Sequence, residues 1–255
     1  MSCLHLTLWR LALLLDHLVL FVDDLPKAIA RFESHGFTVT PGGTNGPTHN
    51  ALIVFSDGTY IELISLQSSR IRFLMRLIGR IGVFALHGQF KKDLQTRLLQ
   101  WMSGPEGLID LCFRGADLTT IGQTSPLTGI HLTDPVKFKR HRPDGVVVEW
   151  TLRGSQDSRQ PFYIQDSTPI EYRIPTGSAR VHKNGAQRLL EVHTSHAIEV
   201  SASNVSIEED PGLPAGSMRL IIVSERDETD HIFDDDSLSN SNIKLVPSPS
   251  TSIGM

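Results

Sequence analysis

Residues 15–66 place the strongest constraint on the fold, because they read as one strand, one helix and three further strands. The run LDHLVLFV is apolar and strand-like. The next segment, DDLPKAIARFESHGF, is typical of a short helix, with an aspartate cap, a proline in the first turn and a glycine at the end. Three strands follow, with Asp57 and Gly58 as the turn between the last two. Such a β-α-β-β-β unit has a helix on only one sheet face, so it must pair with a second unit.

A second copy of this unit follows in the sequence, in a degraded form. The segments GLIDLCF, VKFKRH, GVVVEWTL and PFYIQD read as four strands, and Ile109-Asp110 aligns with Leu15-Asp16 as the opening of the copy. The intervening segment RGADLTTIGQTSPLTG is short and rich in helix breakers, so we expect no regular helix there.

These patterns predict an α+β fold built from paired βαβββ modules. The predicted organisation is a first module at 1–67, a basic amphipathic helical insertion at 68–103, a second, helix-poor module at 104–186, extra edge strands at 187–224 and a disordered acidic tail at 225–255. The apolar start of the chain is interrupted by Arg10, Asp16 and His17, which favours a strand with a short extension over a signal peptide or membrane anchor.

Charge and cysteine content exclude several classes of protein. Residues 224–255 hold seven acidic and two basic residues, so the rest of the chain has a net charge of +1 and no electrostatic basis for binding nucleic acid. Two cysteines are too few for a disulfide framework, which favours a reducing, cytoplasmic location. The basic helical insertion could lie on an anionic membrane or pack its apolar face on the protein, and the membrane alternative is disfavoured.

Several motifs together resemble one known family. The segments LDHLVLFVDDLPKAIARFESHGF, PGG, HNALIVFSDGTYIELI, GLIDLCF, RPDGVVVEW and PFYIQDSTP look like the glyoxalase-like domain proteins of the vicinal oxygen chelate superfamily, in the form common in fungi. The resemblance implies paired βαβββ modules around a cavity. It also implies a divalent metal held by residues on the first and last strands of each module.

The resemblance suggests why the apolar strand TYIELISL carries a carboxylate. Alternation along a strand puts Glu62 on one face with Tyr60 and Ile64, and puts His17 on one face with Leu15, Val19 and Phe21. An unpaired buried carboxylate costs several kcal/mol. A metal shared by His17 and Glu62 would satisfy both side chains. An ion pair of Glu62 with Arg142 or Arg173, and a structural role for His17, remain open alternatives.

Aligning the two modules matches His17 with Leu111, which cannot bind a metal, and Glu62 with Gln165. The expected metal ligands are therefore His17, Glu62 and Gln165, and the sequence does not distinguish Zn, Mn, Fe, Ni or Mg. Relatives usually have a histidine after PGG where this chain has Asn45. Further residues are expected to line a substrate pocket: His49, Asn50, Tyr60, Trp150 and Tyr163.

The function that these residues favour is a divalent-metal-dependent isomerase or lyase acting on a small organic carbonyl substrate. In this hypothesis the metal polarises the carbonyl and Glu62 moves a proton as the catalytic residue. The alternative is a non-catalytic protein that binds a small molecule, or a decayed member of the family. The expected partners are a small molecule and, as an open alternative, a second copy of the chain in a homodimer.

Overall fold

The first half of the main sheet follows the predicted order of elements. The computed structural model describes residues 13–81, 93–115, 117–118, 131–142, 144–226, 231–233 and 241–248. The side chain of Asp24 caps the first helix by accepting a hydrogen bond from Lys27 N at 3.1 Å. The elements of this half are β1 (Leu14–Phe21), α1 (Leu25–Ser34), β2 (Thr40–Asn45), β3 (Thr48–Val54) and β4 (Tyr60–Leu66).

Two helices separate the first half from the second, and four more strands complete the sheet. The helices are α2 (Ser69–Arg80) and α3 (Leu94–Ser103). The strands are β5 (Gly107–Arg114), β6 (Val136–His141), β7 (Val147–Gly154) and β8 (Phe162–Asp166), followed by a short helix α4 (Ile170–Arg173). The predicted absence of a helix in the second module concerns residues 116 and 119–130, which lie outside the described residues.

The eight strands form one sheet in the order β2-β3-β4-β1-β5-β8-β7-β6. The central strands β1 and β5 are antiparallel, and each is parallel to the last strand of its own module, β4 or β8. The edge strands β2 and β6 contact each other, so the sheet is nearly closed. We call the side that surrounds the central cavity the inner face and the opposite side the outer face.

Two β-bulges in the central strand pair decide which side chains reach the inner face. Asp16 is the extra residue in β1 and Ile109 is the extra residue in β5. Because of the first bulge, Leu15 packs in the outer-face core although Val19 lies in the inner-face core. The expectation that Leu15 shares the face of His17 is therefore wrong.

The outer face is covered by α1 and by a second sheet. The second sheet has the order β10-β9-β11-β13-β12 and contributes to the same apolar core as α1. Its strands are β9 (Ala186–Thr194), β10 (Ser206–Glu209), β11 (Met218–Ser224), β12 (His231–Phe233) and β13 (Ser241–Pro247). The predicted edge strands thus form a separate layer, and the prediction of a disordered tail is wrong at 231–233 and 241–247.

The helical insertion packs on the inner face through α3, whose Leu94 and Trp101 lie in the inner-face core. In α2 the anchoring residue is Arg72, which pairs with Asp23 at 2.5 Å and donates to the carbonyl oxygens of Met102 and Gly104. The expectation that the apolar face of α2 packs on the protein holds only in part. Met75 packs against the inner-face core, but these side chains are about half exposed or more: Ile71, Phe73, Leu74 and Leu77. Among the described helices, none is long and apolar enough to cross a membrane.

Candidate functional site

The inner face encloses a cavity of about 250 Å³ that is mostly apolar. Strands of both halves contribute to its wall, and α3 closes one side with Leu98, Trp101 and Met102. The helical insertion is therefore part of the site rather than an appendage. In the described part of the chain, nine polar or charged residues contribute to the wall: His17, Asn45, Thr48, His49, Asn50, Tyr60, Glu62, Arg140 and Arg173.

His17 is held by a buried network that sets its orientation. Its Nδ1 lies 2.7 Å from Asp16 Oδ1, and its ring stacks on Tyr60 with 4.6 Å between the centroids. Asp16 in turn accepts from Arg173 at 2.8 and 3.0 Å, and Arg173 also binds Asp166. A carboxylate that accepts a hydrogen bond from the protonated Nδ1 leaves the lone pair on Nε2. Nε2 is the atom that faces Glu62.

The network keeps Asp16 charged although it is fully buried. Burial alone would raise the pKa of this carboxyl, but the charge of Arg173 and the hydrogen bonds from His17 and Arg173 outweigh burial. The resulting pKa of Asp16 lies well below its ordinary value. Tyr60 is neutral, because burial raises the pKa of its hydroxyl well above the usual range. The same hydroxyl accepts a hydrogen bond from Arg173 at 2.6 Å.

His17 and Glu62 meet in the cavity, with 3.5 Å between Nε2 and Oε2. The other carboxylate oxygen of Glu62 accepts a hydrogen bond from the side-chain amide of Asn50. As the alternation of β4 predicts, Glu62 lies on the cavity side with Tyr60 and Ile64. Two electron-pair donors at this separation need a proton or a cation between them, because both bear lone pairs toward the same space.

The structure corrects the match between β1 and β5. His17 pairs with Cys112 and Val19 pairs with Asp110, so the two strands repeat each other in reverse around an approximate two-fold axis. The counterpart of His17 is therefore Asp110. The predicted counterpart, Leu111, is one residue too far along and lies in the outer-face core, because a shift of one residue reverses the face of a strand.

Asp110 is not available to a ligand in the cavity. Arg97 of α3 donates to both of its oxygens at 2.5 and 2.6 Å, and Trp101 Nε1 donates at 2.8 Å. Arg97 and Asp110 are each less than 5% exposed. The acid of the second half thus takes part in an internal ion pair that fixes α3 on the sheet.

The structure also corrects the match between β4 and β8, by three residues. Val19 pairs with Glu62, and the counterpart of Val19, which is Cys112, pairs with Phe162. Phe162 therefore stands where Glu62 stands in the first half. A phenyl ring cannot bind a metal, so the second half offers no carboxylate from this strand.

Gln165 and Tyr163, predicted as a metal ligand and a pocket residue, do not face the cavity. Phe162 and Ile164 line it, and the intervening side chain of Tyr163 lies in the outer-face core. Gln165 is exposed, and its Oε1 accepts from Leu118 N at 3.3 Å. The three-point site of His17, Glu62 and Gln165 is therefore not brought together.

The remaining predicted pocket residues line the cavity: His49, Asn50, Tyr60 and Trp150. Asn45, which replaces the histidine expected after PGG, also lies in the wall. His182 does not line the cavity: its Nδ1 accepts from Thr38 N, and its Nε2 contacts Val54 O at 3.0 Å.

The alternative ion pairs for Glu62 do not form. Arg142 pairs with Asp144 at 2.6 Å, and Arg173 pairs with Asp16 and Asp166. Sequence reasoning missed a third arginine, Arg140, which lies in the cavity wall and is 7% exposed. The signal available for it was a basic residue on the strand VKFKRH at an inward position.

The donor groups fit a metal only in part. For bonds near 2.1 Å, two ligands of a tetrahedral ion lie roughly 3.4 Å apart, and the distance between His17 Nε2 and Glu62 Oε2 suits this. Ligand atoms of Asp16, His17 and Cys112 also lie within 4.8 Å of one another. That second cluster is the poorer candidate, because Asp16 is already bound to Arg173 and burial raises the pKa of the Cys112 thiol well above its usual range.

The fold, with paired modules around one cavity, is that of the vicinal oxygen chelate superfamily. The sequence matches the family model of the glyoxalase-like domain over residues 15–204. The chain therefore belongs to the glyoxalase-like domain family.

One of the solved structures that match at low sequence identity has a TM-score above 0.5 and shares the fold. A hypothetical protein from Staphylococcus aureus is 16% identical with a TM-score of 0.64, and the match covers 92% of this chain and 100% of that chain. Methylmalonyl-CoA epimerase from Mycobacterium tuberculosis is 16% identical over 64% of this chain and 92% of its own, with a TM-score of 0.37. The Streptomyces coelicolor epimerase is 15% identical over 62% of this chain and 99% of its own, with a TM-score of 0.38. No protein with a curated description matches the sequence.

Proposed function

We propose that this protein is a divalent-metal-dependent isomerase or lyase that acts on a small organic carbonyl compound. The single observation that carries the proposal is the approach of His17 Nε2 and Glu62 Oε2 to 3.5 Å at the wall of a small apolar cavity. His17 and Glu62 would hold the metal. When bound, it would polarise the carbonyl oxygen of the substrate.

The residues around this pair support proton transfer by Glu62. The amide of Asn50 binds one carboxylate oxygen, which leaves Oε2 directed toward the cavity and His17. In the proposed reaction, Glu62 Oε2, once displaced from the metal, would take the proton from the carbon next to the carbonyl and return it to that carbon. The apolar wall limits the access of water to the carbanion that forms. The network of Asp16 and Arg173 keeps His17 in place.

A non-catalytic small-molecule-binding protein is the second candidate, because the donor set is short. Catalytic zinc sites commonly use three protein ligands. In the described part of the cavity wall, only His17 and Glu62 combine a favourable atom with a favourable distance. The positions that correspond to them hold Asp110, bound to Arg97, and Phe162.

Metal analysis joined to hydrogen exchange separates the two candidates. The purified chain is loaded with Zn, Mn, Fe, Ni or Mg in turn, and exchange of α-hydrogens for deuterium is followed by NMR on a panel of small ketones and aldehydes. The proposal expects near-stoichiometric binding of at least one metal and exchange that depends on it. Glu62→Gln and His17→Gln should each lose both properties.

The matched control is Glu149→Gln, an exposed carboxylate on β7. It removes the same charge outside the cavity and should retain both metal and exchange. Failure of the wild-type protein to retain any of the five metals would overturn the enzyme proposal and leave the binding protein.

A further inference from the structure

Arg140 of β6 carries a buried charge that faces the cavity. Its side chain is 7% exposed and forms part of the cavity wall. The stem of the side chain lies against two glycines of β2: a β-carbon on Gly43 would lie 3.3 Å from Arg140 Cδ, and one on Gly42 would lie 3.2 Å from Nη1. Arg140 therefore lies where the two edge strands of the sheet meet.

Arg140 lacks a partner among the described residues, in contrast to the other buried arginines. Arg72, Arg97 and Arg173 each pair with an aspartate within 2.8 Å. For Arg140 there is no ion pair or hydrogen bond to the described part of the chain, and its buried Nε is unsatisfied. Burial lowers its pKa, an effect that the nearby charge of Glu62 opposes. A buried charge without a counter-charge costs free energy. A ligand with an anionic group would supply the counter-charge that the Arg140 guanidinium lacks.

The rest of the cavity indicates what this anion is attached to. Phe138 and Trp150 stack at 6.1 Å between centroids, and Leu152 and Ile164 extend the same apolar surface. A volume of about 250 Å³ is small for a ligand pocket. It suits a compact acid with an aromatic or branched aliphatic body. A planar guanidinium favours a carboxylate, which it can bind through two parallel hydrogen bonds.

We propose that Arg140 binds the carboxylate of the substrate, and that the substrate class is a small organic acid with an apolar body. The carbonyl of the same molecule would face His17 and Glu62; in this respect the inference rests on the proposed function. Arg140 thus selects acids over neutral ketones of the same shape.

The test compares acids with neutral analogues on the full chain by calorimetry. The probes are phenylpyruvate, 4-methyl-2-oxopentanoate and benzoate, each paired with a neutral ketone of similar size such as phenylacetone. At least one acid should bind at least about tenfold tighter than its neutral analogue in the wild-type protein, and Arg140→Met should abolish that preference. The control Lys139→Gln removes an exposed positive charge from the next position of β6 and should keep the preference.

A second measurement excludes a merely structural role for Arg140. Since the charge has no described partner, Arg140→Met should leave the melting temperature of the ligand-free protein unchanged or raise it. A marked fall, equal binding of acids and ketones, or failure of all three acids to bind would each overturn the inference.

The outcomes also separate this inference from the proposed function. If acids bind in an Arg140-dependent way but the protein neither retains a metal nor catalyses hydrogen exchange, the inference stands and the enzyme proposal fails. Metal-dependent exchange on neutral ketones, unaffected by Arg140→Met, would do the reverse.

Discussion

The two halves of the main sheet have the same topology but use the inner face differently. In the first half, the inner positions of β1 and β4 hold His17 and Glu62, which meet at the cavity wall. In the second half, the corresponding positions hold Asp110 and Phe162. Asp110 binds Arg97, and Phe162 packs in the apolar core below α3. A repeated fold can thus direct polar atoms into a cavity in one half and satisfy them internally in the other.

The first-half groups are satisfied only in part by the protein, whereas those of the second half are satisfied completely. Asp110 accepts from Arg97, from Trp101 and from the backbone of Leu111. By contrast, His17 and Glu62 are 3.5 Å apart, too far for a good hydrogen bond. We therefore expect substitutions of Asp110 and its partner Arg97 to act on stability, and substitutions of His17 and Glu62 to act on ligand binding.

The largest effect is expected for Arg97→Met, which tests whether the second half is structural. This change leaves Asp110 charged, buried and bound only by Trp101 and a backbone amide. Loss of one partner of a buried ion pair costs about 3–5 kcal/mol, and urea unfolding would measure it. The double variant Arg97→Met, Asp110→Leu removes the stranded charge and should recover most of the stability. A small loss in the single variant would contradict a structural role for the Arg97–Asp110 pair.

A smaller effect is expected for Gly42→Ala, which tests how tightly the first half is packed. A β-carbon at Gly42 would lie 2.3 Å from Asn50 Oδ1, so Asn50 must move and its hydrogen bond to Glu62 must weaken. Overpacking of this kind costs about 1–3 kcal/mol. A double-mutant cycle with Asn50→Ala checks the cause, because the cost of Gly42→Ala should fall when the Asn50 side chain is absent. Additive costs would contradict this explanation.

Much of this architecture could be predicted from local patterns, and the errors have definite causes. Period-two alternation predicted the face of Glu62, because β4 runs without a bulge beside β1 and β3. The bulges at Asp16 and Ile109 depend on the pairing of β1 with β5 and cannot be recognised from the sequence of either strand alone. The first bulge explains why Leu15 was assigned to the wrong face. The halves were misaligned by one residue at Leu111 because Asp16 was matched with Asp110 instead of Ile109. Gln165 was assigned to the wrong face because matching it with Glu62 shifted β8 by three residues.

Longer-range features could not be predicted from strand patterns at all. The segments assigned to edge strands and a disordered tail pair with each other as a second sheet, and nothing in their local sequence distinguishes the two arrangements. Arg140 became notable only because the structure shows which arginines have acidic partners. The fungal form of the family, the homodimer and the cytoplasmic location stay predictions.

The pH dependence of stability should report the buried charge of Asp16. Its pKa is held below the ordinary value in the folded state, so the folded protein keeps this carboxylate charged where the unfolded chain takes up a proton. The stabilisation is complete above the unfolded pKa of about 3.9 and is lost as pH falls below it. The stability difference between wild type and Asp16→Asn should shrink by about 1 kcal/mol between pH 5 and pH 3. A constant difference in urea unfolding would show that Arg173 does not favour the charged form.

The smallest effect is expected for Cys112→Ala, which separates the two candidate metal clusters. Burial keeps the Cys112 thiol protonated by raising its pKa, and Cys112 is not part of the cavity wall. Metal affinity should therefore change little, whereas Glu62→Gln should lower it by at least about tenfold. Cobalt loading provides a spectroscopic check, because a thiolate ligand gives intense charge-transfer absorption that nitrogen and oxygen ligands lack. Such absorption in the wild type, abolished by Cys112→Ala, would move the metal from the pair of His17 and Glu62 to the buried cluster of Asp16, His17 and Cys112.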